Sequence, residues 1–307
     1  SITHCRYAGA QDDPINVHGT NLRAVQRVDD RTLVLQFMHG QSYGFDAYFE
    51  QDTVAFVKAS TMERFACAKV TAVKRLTDYT VAVSFDRNIP RTLTLGSDCV
   101  ENISRTPEVE IRHCYFARTS TRGTLVTTPR KVVIADNVYR KTGMSAILIE
   151  GDAKDWFESG PVRDVLITGN TFIECAHGGG PDNAVIAIHP SNREIDASRP
   201  VHRNIRIEKN VFKTLGNPVL YAKSTQGLTF TENIVEQSNT LIAFSGRKPL
   251  FRLVGCKDVI IRNNKLNAAN PELLITEKMK RRFVKTDFNA HRLHSKQRNE
   301  YVQEAEE

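Results

Sequence analysis

Two adjacent carboxylates, Asp12 and Asp13, sit in the segment Gly9–Gly19 (GAQDDPINVHG), at a turn that leads into a short extended run. Neighbouring residues in a strand point opposite ways, but at a turn both can reach one groove. Crowded carboxylates have their pKa values pushed apart, which is what paired acid and base chemistry needs. The same residues also make an ordinary Asp-Asp-Pro turn. A second cluster lies in Ile149–Asp164 (IEGDAKDWFESGPVRD), where the sole tryptophan, Trp156, has Glu150, Asp152, Asp155 and Glu158 within reach. An exposed indole is a flat apolar platform on which the C–H edge of a sugar stacks. A buried one plugs its loop against the neighbouring structure. A third cluster, His39–Phe45 (HGQSYGF) with Glu50 and Asp52, reads either as groups held over a groove or as a polar hairpin tip. A fourth is Thr119–Gly123 (TSTRG), which carries Arg122.

Other chemistries leave no trace. There is no G-x-S-x-G and no H-E-x-x-H, and Gly178-Gly179-Gly180 follows His177 without the Lys and Ser/Thr of a phosphate loop. The six cysteines form no C-x-x-C pair, and no His, Cys or carboxylate set has metal-ligand spacing. No metal is expected.

The elements that must position these residues announce themselves as a repeat. An apolar–x–apolar–x–x–Asn–x–apolar template places Val132, Ile134, Asn137 and Tyr139, and returns at Asn170, Asn210, Asn233 and Asn264. Two further copies put Cys5 and Cys114 at the Asn position. The gaps between these positions are 109, 23, 33, 40, 23 and 31 residues. A coil of ~23 residues with loops of variable length is the mark of a solenoid. The period-two alternation is a strand signal. The fold expected is all-β, a right-handed parallel β-helix. Asn tolerates left-handed backbone angles, so it is expected at the sharp turn, with its amide bonding the next coil. A second strand follows each template, at Pro14–Val17, Thr124–Val126, Ser145–Ile149, Ala184–Ile188, Pro218–Tyr221 and Thr240–Phe244.

The gap of 109 residues holds an extra module. Strand-like runs at Leu22–Val28, Thr32–Phe37, Asp52–Val57, Cys67–Leu76 and Tyr79–Phe85, with Asp29-Asp30 and Thr77-Asp78 at hairpin turns, read as a small antiparallel β-barrel inserted between coils. The division expected is residues 1–17 and 108–275 as β-helix, 18–107 as barrel, and 276–307 as a polar, partly helical tail. The repeat also serves as a ruler. Asp13 and Arg122 both fall eight residues past the ladder cysteines Cys5 and Cys114, so stacking sets Arg122 beside Asp13. A neighbouring cation orients a carboxylate as a general base requires, and also makes a plain structural ion pair. Cys5 and Cys114 become neighbours whose parallel side-chain directions argue against a disulfide.

At 307 residues and 40% apolar content the chain buries a substantial core. A net charge of +7, much of it at Lys278, Lys280, Arg281, Arg282 and Lys285, names no partner, and neither nucleic acid nor membrane insertion is expected. No apolar run approaches a membrane span. The chain opens inside a coil at Ser1-Ile2, which reads as the C-terminal part of a longer protein with any leader upstream.

Three stretches carry a family resemblance. DDPINVHG (Asp12–Gly19), RGTLVTT (Arg122–Thr128) and ILIEGDAKDWFESGPVRDVLI (Ile147–Ile167) resemble glycoside hydrolase family 110, α-galactosidases that remove terminal α-1,3-linked galactose, including the blood-group B determinant. The resemblance spans roughly residues 1–270 and extends to the architecture of a β-helix interrupted by small barrels. It implies an inverting, exo-acting hydrolase that uses no cofactor, secreted or periplasmic, with a galactose-containing glycan as substrate and a homo-oligomer compatible with it. Inversion uses two carboxylates about 6.5–9.5 Å apart. The resemblance favours Asp12 and Asp13 for that machinery, with Glu50, Asp152 or Glu158 as a further carboxylate. Trp156 is then the stacking platform, and Arg122, His18, His39 and Glu158 bind sugar hydroxyls. Family members carry further coils and another barrel ahead of this point. A β-helix polysaccharide hydrolase or lyase of another kind, and a non-catalytic glycan-binding β-helix, are the competing readings.

Overall fold

A computed structural model describes residues 1–178, 184–238, 249–267 and 272–287, and the backbone of 293–295. Each coil of the repeat contributes three short strands to three parallel sheets. The first sheet runs through Ile2–Thr3, Val109–Arg112, Lys131–Ala135, Asp164–Thr168, His202–Glu208, Thr225–Thr231, Lys257–Arg262 and Val284–Thr286. The second begins at Arg6–Ala8 and Tyr115–Ala117, and the third at Asn16–Arg27, Thr124–Thr127 and Ile147–Ile149. The sequence template thus spans the first two sheets and the turn between them, and the run that follows it is the third. The run Thr240–Phe244 lies outside the described residues.

Register follows the repeat. Ile2 pairs with Ile111, Tyr7 with Phe116 and Val17 with Val126, each across 109 residues. Inside the coils the template residues form columns. Asn137, Asn170 and Asn210 each donate from Nδ2 to the next asparagine's Oδ1 at 2.9–3.0 Å, and that oxygen also accepts the backbone N–H of the asparagine before it. Buried amides of this kind are tolerable only when so satisfied. The left-handed angle that the sequence assigns to Asn belongs instead to the residue before it. His113, Asp136, Lys209, Glu232 and Asn263 have φ between 53° and 58°. The turn needs one left-handed residue, and Asn is held extended by its own ladder. Rings stack in the same way, Tyr7, Phe116, Tyr139, Phe172 and Phe212 at 5.2, 4.6, 5.2 and 4.8 Å. Cys5 and Cys114 are free thiols, and the Cys5 N–H points to Cys114 Sγ at 3.4 Å.

The long strand Asn16–Arg27 does three things in sequence. Its first residues pair with Thr124–Thr127 in the β-helix, Gly19 and Thr20 pair with Ser159 and Glu158, and the rest enters the barrel. The barrel closes as Asn16–Arg27, Thr32–Gln36, Thr80–Phe85, Glu63–Arg75, Thr53–Lys58 and Cys99–Asn102, with the last pairing back to the first. Its own core gathers Leu22, Leu33, Leu35, Phe56 and Phe85. A separate apolar cluster of Val57, Met62, Cys99, Ala153, Phe157 and Val201 joins barrel to helix. Arg193 and Glu194 N–H donate to Ser60 O, and Arg199 pairs with Glu63 at 3.1 Å.

The segment expected as a partly helical tail is mostly strand where it is described. Arg281–Phe283 makes one 3₁₀ turn, Val284–Thr286 extends the first sheet and Leu293–Ser295 the third. Val284 packs on the core, so the apolar face of the preceding coil is covered by one more coil instead of a helix.

Candidate active site

The outer face of the third sheet, where the barrel joins it, gathers most of the predicted residues. Side chains alternate along a strand, so Val17 turns to the core while Asn16 and His18 face out. Thr127 pairs with His18, and continuation of that register sets Glu150 in the same column one coil further on. Glu158 reaches the column from the opposite direction, on the strand that returns antiparallel beside Thr20. Its Oε1 accepts from Asn16 Nδ2 at 3.0 Å and lies 3.4 Å from His18 Nε2. Two glycines make that return fit. A Cβ on Gly19 would lie 2.5 Å from Ser159 Oγ, and Gly160, at φ 128°, would push one within 2.7 Å of Thr127 O.

Asp13 and Arg122 meet as the ruler requires. The Arg122 N–H donates to Asp13 Oδ1 at 2.9 Å and its guanidinium lies 3.5 Å from Asp13 Oδ2. The Asp13 side chain is only 5% exposed. Asp12 differs: it is exposed, and its Oδ1 accepts the N–H of Asp13 at 2.8 Å. The two adjacent carboxylates are therefore not equivalent, and only Asp13 holds the arginine.

The sequence named Glu150 among the loop carboxylates but gave it no role. In the structure it is the most perturbed carboxylic acid of the site. Burial pushes its pKa up to about 7 against the pull of Arg122, and Asp152, Glu158 and Asp155 add repulsion. Its charge thus interacts with both Arg122 and Glu158, which ties the Asp13 pair and the His18 pair into one cluster. The signal was present in the register, because Glu150 sits two coils above His18.

Asp152, expected as a catalytic carboxylate, has another task. It is 2% exposed, and its two oxygens accept the N–H groups of Lys154, Asp155, Trp156 and Phe157. This carboxylate folds the loop that carries Trp156, and no lone pair is left for chemistry. Glu50 is also not brought to the cluster. It is exposed on the turn before Thr53–Lys58, where its neighbour Asp52 accepts from Asn102 and Arg105. A turn in the barrel sets its position, and nothing in the repeat could.

Trp156 is 48% exposed and stacks on His39, with ring centroids 3.9 Å apart. His39 lies not on a hairpin tip but in the loop that joins Thr32–Gln36 to Thr53–Lys58, two strands that do not pair, and this barrel loop leans over the helix and meets the Trp156 loop. Among the described residues no group of three or more His, Cys, Asp or Glu is arranged to hold a metal ion.

Comparison with known proteins bears on this geometry. Over 286 residues, 93% of this chain, the sequence is 64% identical to alpha-1,3-galactosidase A of Bacteroides fragilis. The chain belongs to this family. The family model for GLAA-B beta-barrel domain II matches residues 32–100, which is the barrel just described. Relatives further off are alpha-1,3-galactosidase B of Bacteroides thetaiotaomicron, 37% identical over 94% of this chain, and alpha-1,3-galactosidase A of Streptomyces avermitilis, 38% identical over 86%. The chain spans about half the length of the curated relatives it matches, 47% of the first. Among solved structures, the tailspike protein gp49 of Pseudomonas phage LKA1 covers 85% of this chain at 11% identity with a TM-score of 0.31, so the family member's fold rests on the strand pairing above.

Proposed function

We propose that this chain carries the acid–base site of an exo-acting, inverting α-1,3-galactosidase. The observation that carries the reading is the convergence of Asp13–Arg122, Glu150 and Glu158–His18 on one outward face beside an exposed Trp156. The 64% identity to an alpha-1,3-galactosidase supports the substrate class.

The roles follow from environment. A general acid must hold its proton at working pH, and Glu150, ionising at about 7, does so. Asp13, paired to Arg122 and largely shielded, is the base that takes a proton from water. Glu150 gives its proton to the glycosidic oxygen as the C1–O bond breaks, and the water attacks C1 from the opposite face, releasing β-galactose. Trp156 and His39 form the wall on which the sugar ring stacks, and Glu158 with His18 binds hydroxyls. A glycan substrate fits a secreted or periplasmic location.

The test exploits leaving groups. Glu150→Gln should lower kcat on an α-1,3-galactobiose by about 10²–10⁴ and far less on a dinitrophenyl α-galactoside, whose leaving group needs no proton. Asp13→Asn should slow both alike. Equal losses on both substrates in Glu150→Gln would remove it as the acid, and α-galactose as first product, seen by NMR, would remove inversion.

A further inference from the structure

The barrel carries an aromatic surface that the site above leaves unused. Of the described residues, the strongly exposed aromatic side chains are Tyr43, Phe45, Phe49, Tyr79 and Trp156. Four of these five lie on the barrel, in the loop that joins Thr32–Gln36 to Thr53–Lys58 and at the Thr77–Thr80 turn, and the fifth touches that loop through His39. Scattered exposed apolar residues need no explanation, but this concentration does. Tyr43 and Tyr79 stack at 4.2 Å and 18°, each a little over two-fifths exposed. Phe45 packs on Phe37 at 4.9 Å above a cavity of about 160 Å³ that also meets Asp46, Arg75, Thr77 and Thr80. Arg75 fixes this surface, donating to Gly44 O at 2.7 Å and to Asp46 Oδ1 at 3.3 Å.

The backbone ties this surface to the candidate active site. Phe37 N–H donates to Tyr79 O at 2.9 Å, so Tyr79 lies one strand spacing from Phe37, about 5 Å. Phe37 is two residues from His39, at most about 7 Å further. His39 stacks on Trp156. The backbone therefore carries these exposed rings from the sugar wall onto the barrel within the span of a short oligosaccharide, with Phe37 itself buried in the barrel core. Its chemistry is that of a sugar surface. The flat faces suit pyranose C–H edges, and hydroxyls, a carboxylate and a guanidinium at the rim suit their O–H groups. The cavity is too small for a drug-sized ligand, which takes about 300–1,000 Å³, and it fits a single ring.

We propose that Tyr43, Tyr79 and Phe45 form a glycan-binding platform for the sugars beyond the cleaved bond, so that the barrel selects long oligosaccharide substrates over short ones. The proposal rests on the glycosidase reading. Tyr43→Ala/Tyr79→Ala and Tyr43→Phe/Tyr79→Phe variants are compared with the parent on a nitrophenyl α-galactoside and on a tetrasaccharide ending in α-1,3-galactose. In the Ala variant the ratio of KM for the tetrasaccharide to KM for the small galactoside should rise about tenfold, the size of a lost aromatic stack. The Phe variant keeps the rings and should keep most of the selectivity. An unaltered ratio in the Ala variant overturns the platform. So does a dimeric parent that becomes monomeric in the Ala variant with no change in the ratio, because the rings then serve a second copy. If the parent cleaves neither substrate, the glycosidase reading fails by itself. Calorimetric titration of the tetrasaccharide into parent and Ala variant then decides the platform alone, with equal affinities overturning it.

Discussion

Two columns of side chains run up this β-helix under the same stacking rule, one inside the coils and one outside. Beyond Cys114 the inner column repeats a single residue type, Asn137, Asn170, Asn210, Asn233 and Asn264, and each of the first four amides finds its partner in its own copy on the next coil. The outer column, read in the same register, runs His18, Thr127, Glu150 and His189. No two neighbours share a type, so the column cannot satisfy itself by repetition. Glu158 comes in from another strand to meet His18, and burial pushes the pKa of Glu150 up to about 7. Repetition with identity marks scaffold, and repetition with substitution marks the face turned toward a ligand.

The comparison breaks most visibly if the outer column proves structural. The largest effect expected is on rate: Glu150→Gln and Asp13→Asn should each lower kcat on a galactobiose by about 10²–10⁴, with far-ultraviolet circular dichroism unchanged. Next comes the inner column. Asn170→Ala strips Asn137 of the oxygen that accepts two of its N–H groups at 2.9 Å. Stability should fall by roughly 3 kcal/mol in urea titration, while the folded fraction keeps its kcat. A rate loss without a stability loss there would undo the division of roles.

A third effect concerns pH. Glu150 ionises at about 7 when folded against 4.5 ordinarily, so the folded protein binds the extra proton between those values. Its contribution is fully present below about pH 4.5 and is lost as pH rises to about 7. Glu150→Gln should therefore gain roughly 3 kcal/mol over the parent at pH 8 and little at pH 4.5, as read from denaturant midpoints. A parallel pH dependence in parent and variant would show that the carboxyl is not desolvated. The smallest effect belongs to the rim: Trp156→Ala should raise KM for the galactobiose about fivefold with a lesser change in kcat, a loss on the scale of one aromatic contact.

Much of this was legible in the residues alone. The count of 109 that separates Ile2 from Ile111 is also the count that brings Arg122 to Asp13, so one period supplied both a fold and an ion pair. The barrel strands were legible from their hairpin turns, because Asp29-Asp30 and Thr77-Asp78 end apolar alternations that no helix would keep. What escaped depended on the path of irregular chain. Asp152 and Glu150 stand two residues apart, and only the curl of the loop decides that one meets four backbone N–H groups while the other meets burial and three like charges. Glu50 failed for the same reason, since a turn inside the barrel owes nothing to the repeat. The final coil escaped because Val284–Thr286 is too short to show a period.

The strand Asn16–Arg27 leaves the β-helix, borders the Glu158 return and enters the barrel without a break. The irregularity in its pairing, between Ala24 and Gln26, lies within the barrel, so the strand is regular where it crosses the junction and roots the barrel at the candidate site. In the reading proposed above, a barrel rooted in this way keeps its place when a glycan arrives, and the chain end enters a cleft whose shape the junction sets. Under the galactosidase proposal, substrate is then selected by shape that already exists, and galactose leaves without a domain movement.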